Sequence, residues 1–325
     1  MTLQLHVESA AWNRHVTKTA DEFGDLIPVV KGNGYGFGRK TLVEHAKKFA
    51  DLIAVGTVFE VADVPQECRA VVLTPAGRIL PQNFSSNKQI ILTVGSMHDA
   101  KDLADANWTG EVLVKVRSSM NRYGANVENL NELLAQLKKN RLVQFGWSIH
   151  PPLDGSSQDH AEEVAEIIAA TESAIPASTS LPWLISHVDA SQLAALRKRF
   201  TKHAIRVRSG TNLWLGDKSN LQLTADVLET REVLAGSRAG YRNTKIDHDG
   251  TLVVVGAGTA HGVLPVGAEL SPFHFQQQRL DLLEPSHMHT SMLFVRPDKQ
   301  SPKVGDLVEV QQPLTRVYPD IVSWK

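Results

Sequence analysis

A lysine in a glycine-rich loop is the first residue of this sequence that could do chemistry. Lys31 ends the apolar run LIPVV, and the stretch PVVKGNGYGFG places four glycines within the next seven residues. Glycines allow the backbone to turn sharply and to approach a ligand closely. A lysine desolvated there can lose its proton and act as nucleophile or base, or form a Schiff base with a cofactor aldehyde. A surface lysine before a flexible turn is the structural alternative.

Four later stretches also place polar residues at the ends of strand-like runs. They are KVRSSMNRYG with Lys115 and Arg122, GWSIH with His150, SHVDAS with Ser191, and VRSGTNLWLG with Arg208, Gly210 and Thr211. Taken singly, each has a structural alternative: an arginine at a helix start, a satisfied histidine, a serine N-cap or a barrel salt bridge. Their repetition at strand ends favours a common site.

The elements that must position these residues alternate between strand and helix patterns. Eight strand candidates run from about position 26 to 210: LIPVV, LIAVG, AVVLTP, QIILTV, EVLVKV, LVQFGWSIH, LPWLISHV and HAIRVRSG. Amphipathic segments such as NVENLNELLAQLKKN and SQDHAEEVAEIIAATESA lie between several of them. This pattern predicts an α/β fold with a (β/α)8 TIM-like barrel, whose chemistry collects at the carboxyl ends of the strands. An open doubly wound sheet is the alternative.

The sequence changes texture after about position 222. The segments VLETREVLAG, GTLVVVGAG, TSMLFV and DLVEV are β-rich and are separated by turns, without helical alternation. We therefore predict a barrel domain over residues 1–222 and a mostly β C-terminal domain over 223–325. The first strand candidate, LQLHV, could belong to either domain.

Composition narrows the class of ligand and the compartment. Lys and Arg number 34 against 35 Asp and Glu, so no broad electrostatic field points to nucleic acid or an anionic membrane. A small-molecule ligand is expected. Cys68 is the only cysteine, which excludes a disulfide framework and fits a reducing cytoplasm. The start MTLQLHVESAAWNR lacks a signal-peptide pattern, so we expect a cytoplasmic protein.

The lysine loop resembles a motif of the alanine racemase family. VVKGNGYGFG is similar to the family's VVKANAYGHG, which implies pyridoxal 5'-phosphate as the cofactor. By this resemblance Lys31 is the Schiff-base lysine, and Tyr35 contacts the cofactor phosphate. Phe37 stands where the family has a histidine.

The other strand-end stretches resemble the same family in order. KVRSSMNRYG is similar to KVDTGMNRLG, so Arg122 would hydrogen-bond the phenolic oxygen of the cofactor and the substrate carboxylate. Lys115 matches a lysine that is carbamylated in some members, and Arg117 replaces an aspartate. GWSIH is similar to GLMTH, which would place His150 near the pyridine ring.

The last two barrel motifs imply the rest of the cofactor site. SHVDAS resembles HTANS and VRSGTNLWLG resembles VRPGIALYG, so Ser191, Gly210 and Thr211 would bind the phosphate. Arg208 would face the pyridine nitrogen and keep it unprotonated. The ring is then a weaker electron sink, which favours proton transfer.

The resemblance breaks at one residue of the second domain. Racemisation is simplest with two bases on opposite faces of the substrate aldimine. In the family the second base is the tyrosine of GYADG, contributed across the dimer interface, and the matching segment here is GTAHG. Thr259 cannot replace that tyrosine, because its hydroxyl does not ionise near neutral pH. His261 is our candidate for the second base, since histidines titrate near neutral pH.

Three further segments of the second domain resemble the family. EPSHMHTSM is similar to GRVCMDQ, so the backbone of Met288 would contact the substrate, and TRVY is similar to TINY, so Tyr318 would complete the phosphate shell. AGYR, with Tyr241, resembles an upstream structural element. His287 and His289 would point to one face of a strand, but two ligands alone do not make a metal site, and we predict none.

The leading prediction is a pyridoxal-phosphate-dependent enzyme, racemase-like, that transfers the α-proton of an amino-acid aldimine. Its catalytic residues would be Lys31, His261 and Arg122, in a head-to-tail homodimer. One alternative keeps the cofactor but changes the reaction to elimination, aldol cleavage or decarboxylation, with His287 and His289 binding a metal. Another is a non-catalytic protein that binds pyridoxal phosphate.

Overall fold

A computed structural model describes residues 2–325 except 76, 78, 82, 83, 85, 86, 177–179, 268 and 269. The chain divides into two compact units. The barrel unit comprises residues 15–32 and 39–216, and the β unit comprises residues 2–14, 33–38 and 217–325.

The chain begins with a strand and a long helix, β1 (Leu3–Val7) and α1 (Ser9–Phe23). Eight parallel strands then build the barrel unit: β2 (Ile27–Pro28), β3 (Leu52–Val55), β4 (Arg69–Pro75), β5 (Ile90–Val94), β6 (Glu111–Lys115), β7 (Val143–Ser148), β8 (Trp183–Ile185) and β9 (Ile205–Ser209). Each predicted strand is present, because aliphatic and β-branched runs suit a sheet that is buried on both faces.

The parallel sheet closes on itself. Neighbours along the chain pair from β3 to β9, and β2 pairs with β9. Just beyond β2, Val29 forms a parallel bridge with Ala54, and the N–H of Val30 donates to the carbonyl of Ala54 at 2.7 Å. This closure confirms the predicted (β/α)8 barrel and excludes the open doubly wound sheet.

The helices after β2 are α2 (Arg39–Ala46), α3 (Met97–Asp105), α4 (Leu130–Lys139), α5 (Ser157–Ala174), α6 (Ala190–Arg199) and α7 (Thr211–Leu215). The predicted segment SQDHAEEVAEIIAATESA coincides with α5, which begins after the N-cap Ser156, whose hydroxyl accepts the N–H of Asp159 at 3.1 Å. Between β3 and β4 the crossover is only a 3₁₀ helix, Val58–Asp63.

Side chains from alternating strand positions fill the interior of the barrel. The buried cluster contains Ile27, Val29, Leu52, Ala54, Val71, Ile91, Leu113 and Leu184. Inward positions on successive strands supply one layer after another, as expected for a filled barrel. The interior is therefore a packed core, and chemistry is confined to the ends of the strands.

The β unit holds the remaining strands: β10 (Leu221–Val233), β11 (Arg238–Ala239), β12 (Thr244–Lys245), β13 (Gly250–Val255), β14 (Phe273–Phe275), β15 (Gln278–Arg279), β16 (Asp281–Leu282), β17 (Ser291–Val295), β18 (Leu307–Val310) and β19 (Ile321–Trp324). β1 pairs antiparallel with β10 and parallel with β19, so LQLHV belongs to this unit. The predicted mostly β C-terminal part is confirmed. Within the described residues, no helix has the length and apolar character needed to cross a membrane.

We predict that Leu113→Ala lowers the free energy of unfolding by about 2–5 kcal/mol, because it removes a fully buried side chain and leaves a cavity in the barrel core. Urea unfolding followed by circular dichroism measures the change. Leu153→Ala is the matched control, since Leu153 is 86% exposed and its loss should cost less than about 0.5 kcal/mol. Equal destabilisation by the two substitutions would contradict a packed interior.

Candidate active site

Lys31 lies three residues beyond β2, at the carboxyl end of the barrel. The next strand, β3, is followed by Gly56, and a Cβ atom built on Gly56 would lie 3.2 Å from the Cβ of Lys31. A side chain at position 56 would therefore press on the base of the lysine side chain. The two strand ends meet closely, and glycine at position 56 makes room for Lys31.

The pKa of Lys31 is lowered from its ordinary value. Desolvation at the barrel end is the largest cause, and the guanidinium groups of Arg122 and Arg208 act in the same direction. Glu60 opposes them, since a nearby carboxylate favours the ammonium form. A lowered pKa increases the fraction of uncharged amine, which is the form that attacks an aldehyde or accepts a proton.

Lys115 is a second amine at the same end of the barrel. It is the last residue of β6 and only 5% exposed, and burial with the charges of Arg208 and Arg122 lowers its pKa to about 6. Its Nζ lies 5.7 Å from the ring centre of Tyr123, and the guanidinium carbon of Arg122 lies 4.4 Å from the same ring. Lys115 is therefore largely neutral at pH 7, and Tyr123 packs beside both basic groups.

Arg208 is buried in β9, and one of its guanidinium nitrogens lacks a hydrogen-bond partner among the described residues. One of its terminal nitrogens, Nη2, donates to the carbonyl of Ile149 at 2.7 Å, whereas its buried Nε has no hydrogen-bond partner among the described residues. Burial lowers the pKa of Arg208 to about 10; Tyr123 acts against this shift and Arg122 adds to it. A buried donor without a partner is costly, so this nitrogen favours an acceptor from a bound ligand.

His150 lies at the same end of the barrel as Lys115 and Arg208 and is a neutral imidazole. Burial, followed by the charges of Arg208 and Lys115, lowers its pKa to about 2. Its Nδ1 is hydrogen-bonded to the hydroxyl of Ser186, and its ring centre lies 4.6 Å from that of His187. A fixed, uncharged ring of this kind suits packing against another aromatic ring.

The three predicted phosphate contacts of the barrel lie at two helix starts. Gly210 precedes α7, and Thr211 is its exposed first residue. Ser191 lies in the first turn of α6, where its hydroxyl donates to Asp189 Oδ1 at 2.8 Å. Asp189 is the N-cap of α6, and its Oδ1 accepts the N–H of Gln192. Ser191 acts within this cap.

Two predicted phosphate ligands belong to the β unit. Tyr35 is buried and has a positive φ of 54°, an uncommon conformation for a non-glycine residue. The following Gly36 has a φ of 91°, and a Cβ there would meet the carbonyl of Leu314 at 3.1 Å. Tyr318 is 59% exposed, and its N–H donates to the carbonyl of His261 at 2.9 Å.

His261, the candidate second base, is held within the β unit. Its Nδ1 accepts the N–H of Gly258 at 3.1 Å, and its Nε2 lies 3.1 Å from Asp320 Oδ2. The ring is 7% exposed. Both nitrogens are therefore engaged, and they hold the turn that contains Thr259. To accept a proton from a substrate, His261 would first have to release one of these partners.

Met288 lies between β16 and β17, outside any strand, so the condition under which His287 and His289 would point to one strand face is not met. Their rings diverge: His287 packs on Tyr241 at 4.3 Å between centres, and His289 lies 5.8 Å from His261. The carbonyl of Met288 accepts the N–H of Ala260 at 2.8 Å.

His287 instead pairs with an acid. Its Nε2 lies 2.6 Å from Oε1 of the buried Glu284, which also accepts the N–H groups of Tyr241 and Arg242. Across the residues that the structure describes, no group of three or more His, Cys, Asp or Glu could hold a metal ion.

The barrel end therefore gathers several basic groups whose charges lower one another's pKa values. Lys31, Lys115, Arg122, Arg208 and His150 belong to this cluster. Such a site attracts a ligand with several anionic oxygens and holds two amines with increased neutral fractions.

Sequence reasoning missed Glu60, Tyr123 and Asp189. Glu60 had a readable signal, since Thr57 and Glu60 have the spacing of a capping box. Asp189 is likewise a common N-cap residue, two positions before the expected phosphate ligand Ser191. Tyr123 gives no comparable signal, because only the folded loop after β6 brings its ring to Lys115.

Comparison with known proteins identifies relatives of this fold. The profile described as alanine racemase, N-terminal domain, matches residues 8–217. No protein of curated function matches the chain. Alanine racemase from Acinetobacter baumannii superposes with a TM-score of 0.66 at 16% identity, over 100% of this chain and 99% of that chain.

Two other alanine racemase structures are equally similar. The biosynthetic enzyme from Pseudomonas aeruginosa gives a TM-score of 0.68 at 19% identity, over 100% of this chain and 99% of that one. The enzyme from Bartonella henselae, with covalently bound pyridoxal phosphate, gives 0.70 at 18% identity, over 97% and 91%. At these identities the structural likeness is one of fold.

We predict that Lys115→Met stabilises the cofactor-free protein near neutral pH. From about pH 6 up to the ordinary lysine pKa of 10.5, the unfolded chain binds a proton that the folded chain does not, so stability rises with pH across this window. Methionine removes both the slope and the penalty, and the unfolding midpoint at pH 7 should rise by about 3 °C. Lys101→Met, on the exposed surface of α3, is the control. An unchanged slope in Lys115→Met would contradict a neutral, buried amine.

Proposed function

The chain belongs to the alanine racemase family, and we propose that it is a racemase-like isomerase that uses pyridoxal 5'-phosphate to move the α-proton of an amino acid. One observation carries the proposal: Lys31, with a lowered pKa, lies at the end of a closed barrel beside Arg122 and Arg208. The family supplies the expectation of the cofactor, and the chemistry of these side chains fits it.

The residues present suit such a cofactor on physical grounds. The buried Nε–H of Arg208 lacks a partner among the described residues and could donate to an unprotonated ring nitrogen. The neutral imidazole of His150 suits contact with an aromatic ring. Lys31 would hold the aldehyde carbon, and the phosphate is assigned to Tyr35, Ser191, Gly210, Thr211 and Tyr318.

The bound group would supply an electron sink that stabilises negative charge at the α-carbon. Arg208 would limit the strength of that sink, because its guanidinium charge would disfavour protonation of a ring nitrogen held beside it. Arg122, exposed at the barrel end, binds the substrate carboxylate through paired N–H donors. Lys31, once its amine is free, removes or returns the α-proton on one face of the substrate.

Racemisation also needs a group that acts on the opposite face of the substrate. We retain His261 as the candidate, and Met288 as a backbone contact to the substrate. The observed bonds of His261 to Gly258 and Asp320 count against an easy proton transfer. A non-catalytic role in binding the cofactor is the second candidate function, and Thr259 with this engaged histidine favours it.

The assembly follows from the same family expectation. In a head-to-tail homodimer, the β unit of one protomer completes the site of its partner. We propose that arrangement, in the cytoplasm, with an amino acid as the small-molecule substrate.

We predict that the purified protein mixed with pyridoxal phosphate develops a Schiff-base absorption band, because the amine of Lys31 is neutral more often than an ordinary lysine. Lys31→Ala should remove the band, and borohydride should trap the cofactor on Lys31 in the wild type. Lys18→Ala is the control, since Lys18 is 76% exposed on α1. A persistent band in Lys31→Ala would refute the assignment of the lysine.

We predict exchange of the α-proton when the loaded protein meets its amino acid in deuterated water. A panel of L- and D-amino acids that begins with alanine, followed by nuclear magnetic resonance, measures the exchange. Lys31→Ala should slow it by about 10³-fold, the typical contribution of a positioned base. A cofactor band without exchange of any amino acid would favour the non-catalytic candidate.

A further inference from the structure

The residue that follows Lys31 is held on both of its backbone polar groups. The N–H of Gly32 donates to Glu60 Oε1 at 3.0 Å. The carbonyl of Gly32 accepts a hydrogen bond from Nη1 of Arg39. Gly32 has a φ of 61°, a left-handed conformation that a free loop would leave readily. The two bonds fix this turn immediately beside the lysine.

Both bonds depend on one short segment, the 3₁₀ helix Val58–Asp63 between β3 and β4, directly for one bond and through Arg39 for the other. Glu60 lies on it and binds Gly32 directly. Asp63 also lies on it and accepts from Nε of Arg39 at 2.6 Å. The side chain of Asp63 is 14% exposed and that of Arg39 is 32% exposed. Because this ion pair is partly shielded from water, its electrostatic attraction is stronger than that of a fully exposed pair.

The second carboxylate oxygen of Glu60 bonds to the end of the neighbouring strand, β3. Its Oε2 accepts the N–H of Gly56 at 2.7 Å and the N–H of Thr57 at only 3.4 Å. A simple helix cap would direct the carboxylate to Thr57, yet this is the longest of its three bonds. The short bonds go to the two glycines that flank the lysine: Gly32 follows it in the chain, and Gly56 lies against its Cβ.

We propose that Glu60 and Arg39 form a clamp on Gly32 that fixes the direction of the Lys31 side chain, so that the segment Val58–Asp63 positions the amine at the barrel end. The inference rests on the proposed function only for the identity of the group with which the amine of Lys31 reacts. A lysine has four rotatable side-chain bonds, so the point and direction from which its side chain leaves the backbone limit where the amine can reach. A displacement of about 1 Å at a reacting group can cost about 100-fold in rate.

Glu60 and Arg39 are positioning residues that can be separated from charge effects. The charged groups that act on Lys31 are Arg122, Arg208 and Glu60. Arg39→Gln leaves all three unchanged but removes a bond to the Gly32 carbonyl. Glu60→Gln keeps the size of the side chain but leaves one oxygen acceptor for the N–H groups of Gly32, Gly56 and Thr57. Agreement between the two variants therefore reports on orientation, since only Glu60→Gln changes a charge that shifts the pKa of Lys31.

The test titrates each variant of the full chain with pyridoxal phosphate and follows the Schiff-base band. Arg39→Gln and Glu60→Gln should each weaken binding by about tenfold, the scale expected when support for a reactive group is lost. Their unfolding midpoints should stay within a few degrees of wild type. Glu44→Gln is the matched control, because Glu44 is 60% exposed and pairs with Lys47 on the surface. Wild-type affinity in Arg39→Gln would overturn the clamp.

A second readout separates failure of the clamp from failure of the proposed function. Amide hydrogen exchange of Gly32 in the cofactor-free protein should accelerate by at least about tenfold in Glu60→Gln and remain unchanged in Glu44→Gln. If wild type forms no Schiff-base band, the proposed function fails, and the exchange of Gly32 then decides the clamp. Unchanged protection of Gly32 in Glu60→Gln overturns it, and lost protection supports it.

Discussion

The structure of the barrel end depends on one electrostatic constraint: the buried Lys115 and Arg208 lie near the exposed Lys31 and Arg122 with little compensating negative charge. Burial is the leading cause of the lowered pKa at Lys31, Lys115 and Arg208. Among the groups that act on Lys31, only Glu60 carries a carboxylate. Desolvated like charges destabilise a fold unless an anion joins them or the amines give up their protons. Both remedies lead to the proposed chemistry, since a phosphate-bearing cofactor supplies the anion and a neutral amine supplies the nucleophile.

Barrel closure is what brings these groups together. Arg208 is paired in register with Ile27, so the last strand of the barrel lies beside the strand that leads to Lys31, and the charge of Arg208 acts on the lysine. The link from Val29 to Ala54 then joins that strand to β3 and to Gly56. An open sheet would leave β2 and β9 at opposite edges or in different order. The lowered pKa of Lys31 is therefore a consequence of topology as well as local burial.

The sequence predicted the fold well and the contacts of the site poorly. Apolar runs at regular spacing identified all eight barrel strands, and helical periodicity identified α5, because burial imposes these patterns on the residues themselves. Glu60 was missed although its capping-box spacing was visible, since spacing cannot tell that its carboxylate bonds to Gly32 and Gly56. His261 was selected by residue type, and the structure shows that Gly258 and Asp320 already occupy its nitrogens. Such pairings depend on distant segments and leave no local pattern.

The two units treat their ionisable groups differently, and this difference bears on which reaction is supported. In the β unit, His261 is paired with Asp320 and His287 with Glu284, so these histidines stabilise turns within their own unit. In the barrel unit, Lys31 and Lys115 have lowered pKa values and lie among other cations. Under the proposed function, proton transfer by the barrel alone would need only Lys31 and would exchange the α-proton on one face. Interconversion of enantiomers also needs a group on the other face. The observed pairings therefore support one-sided proton transfer more directly than full racemisation, because His261 is already engaged by Gly258 and Asp320 and these contacts hold the turn around Thr259.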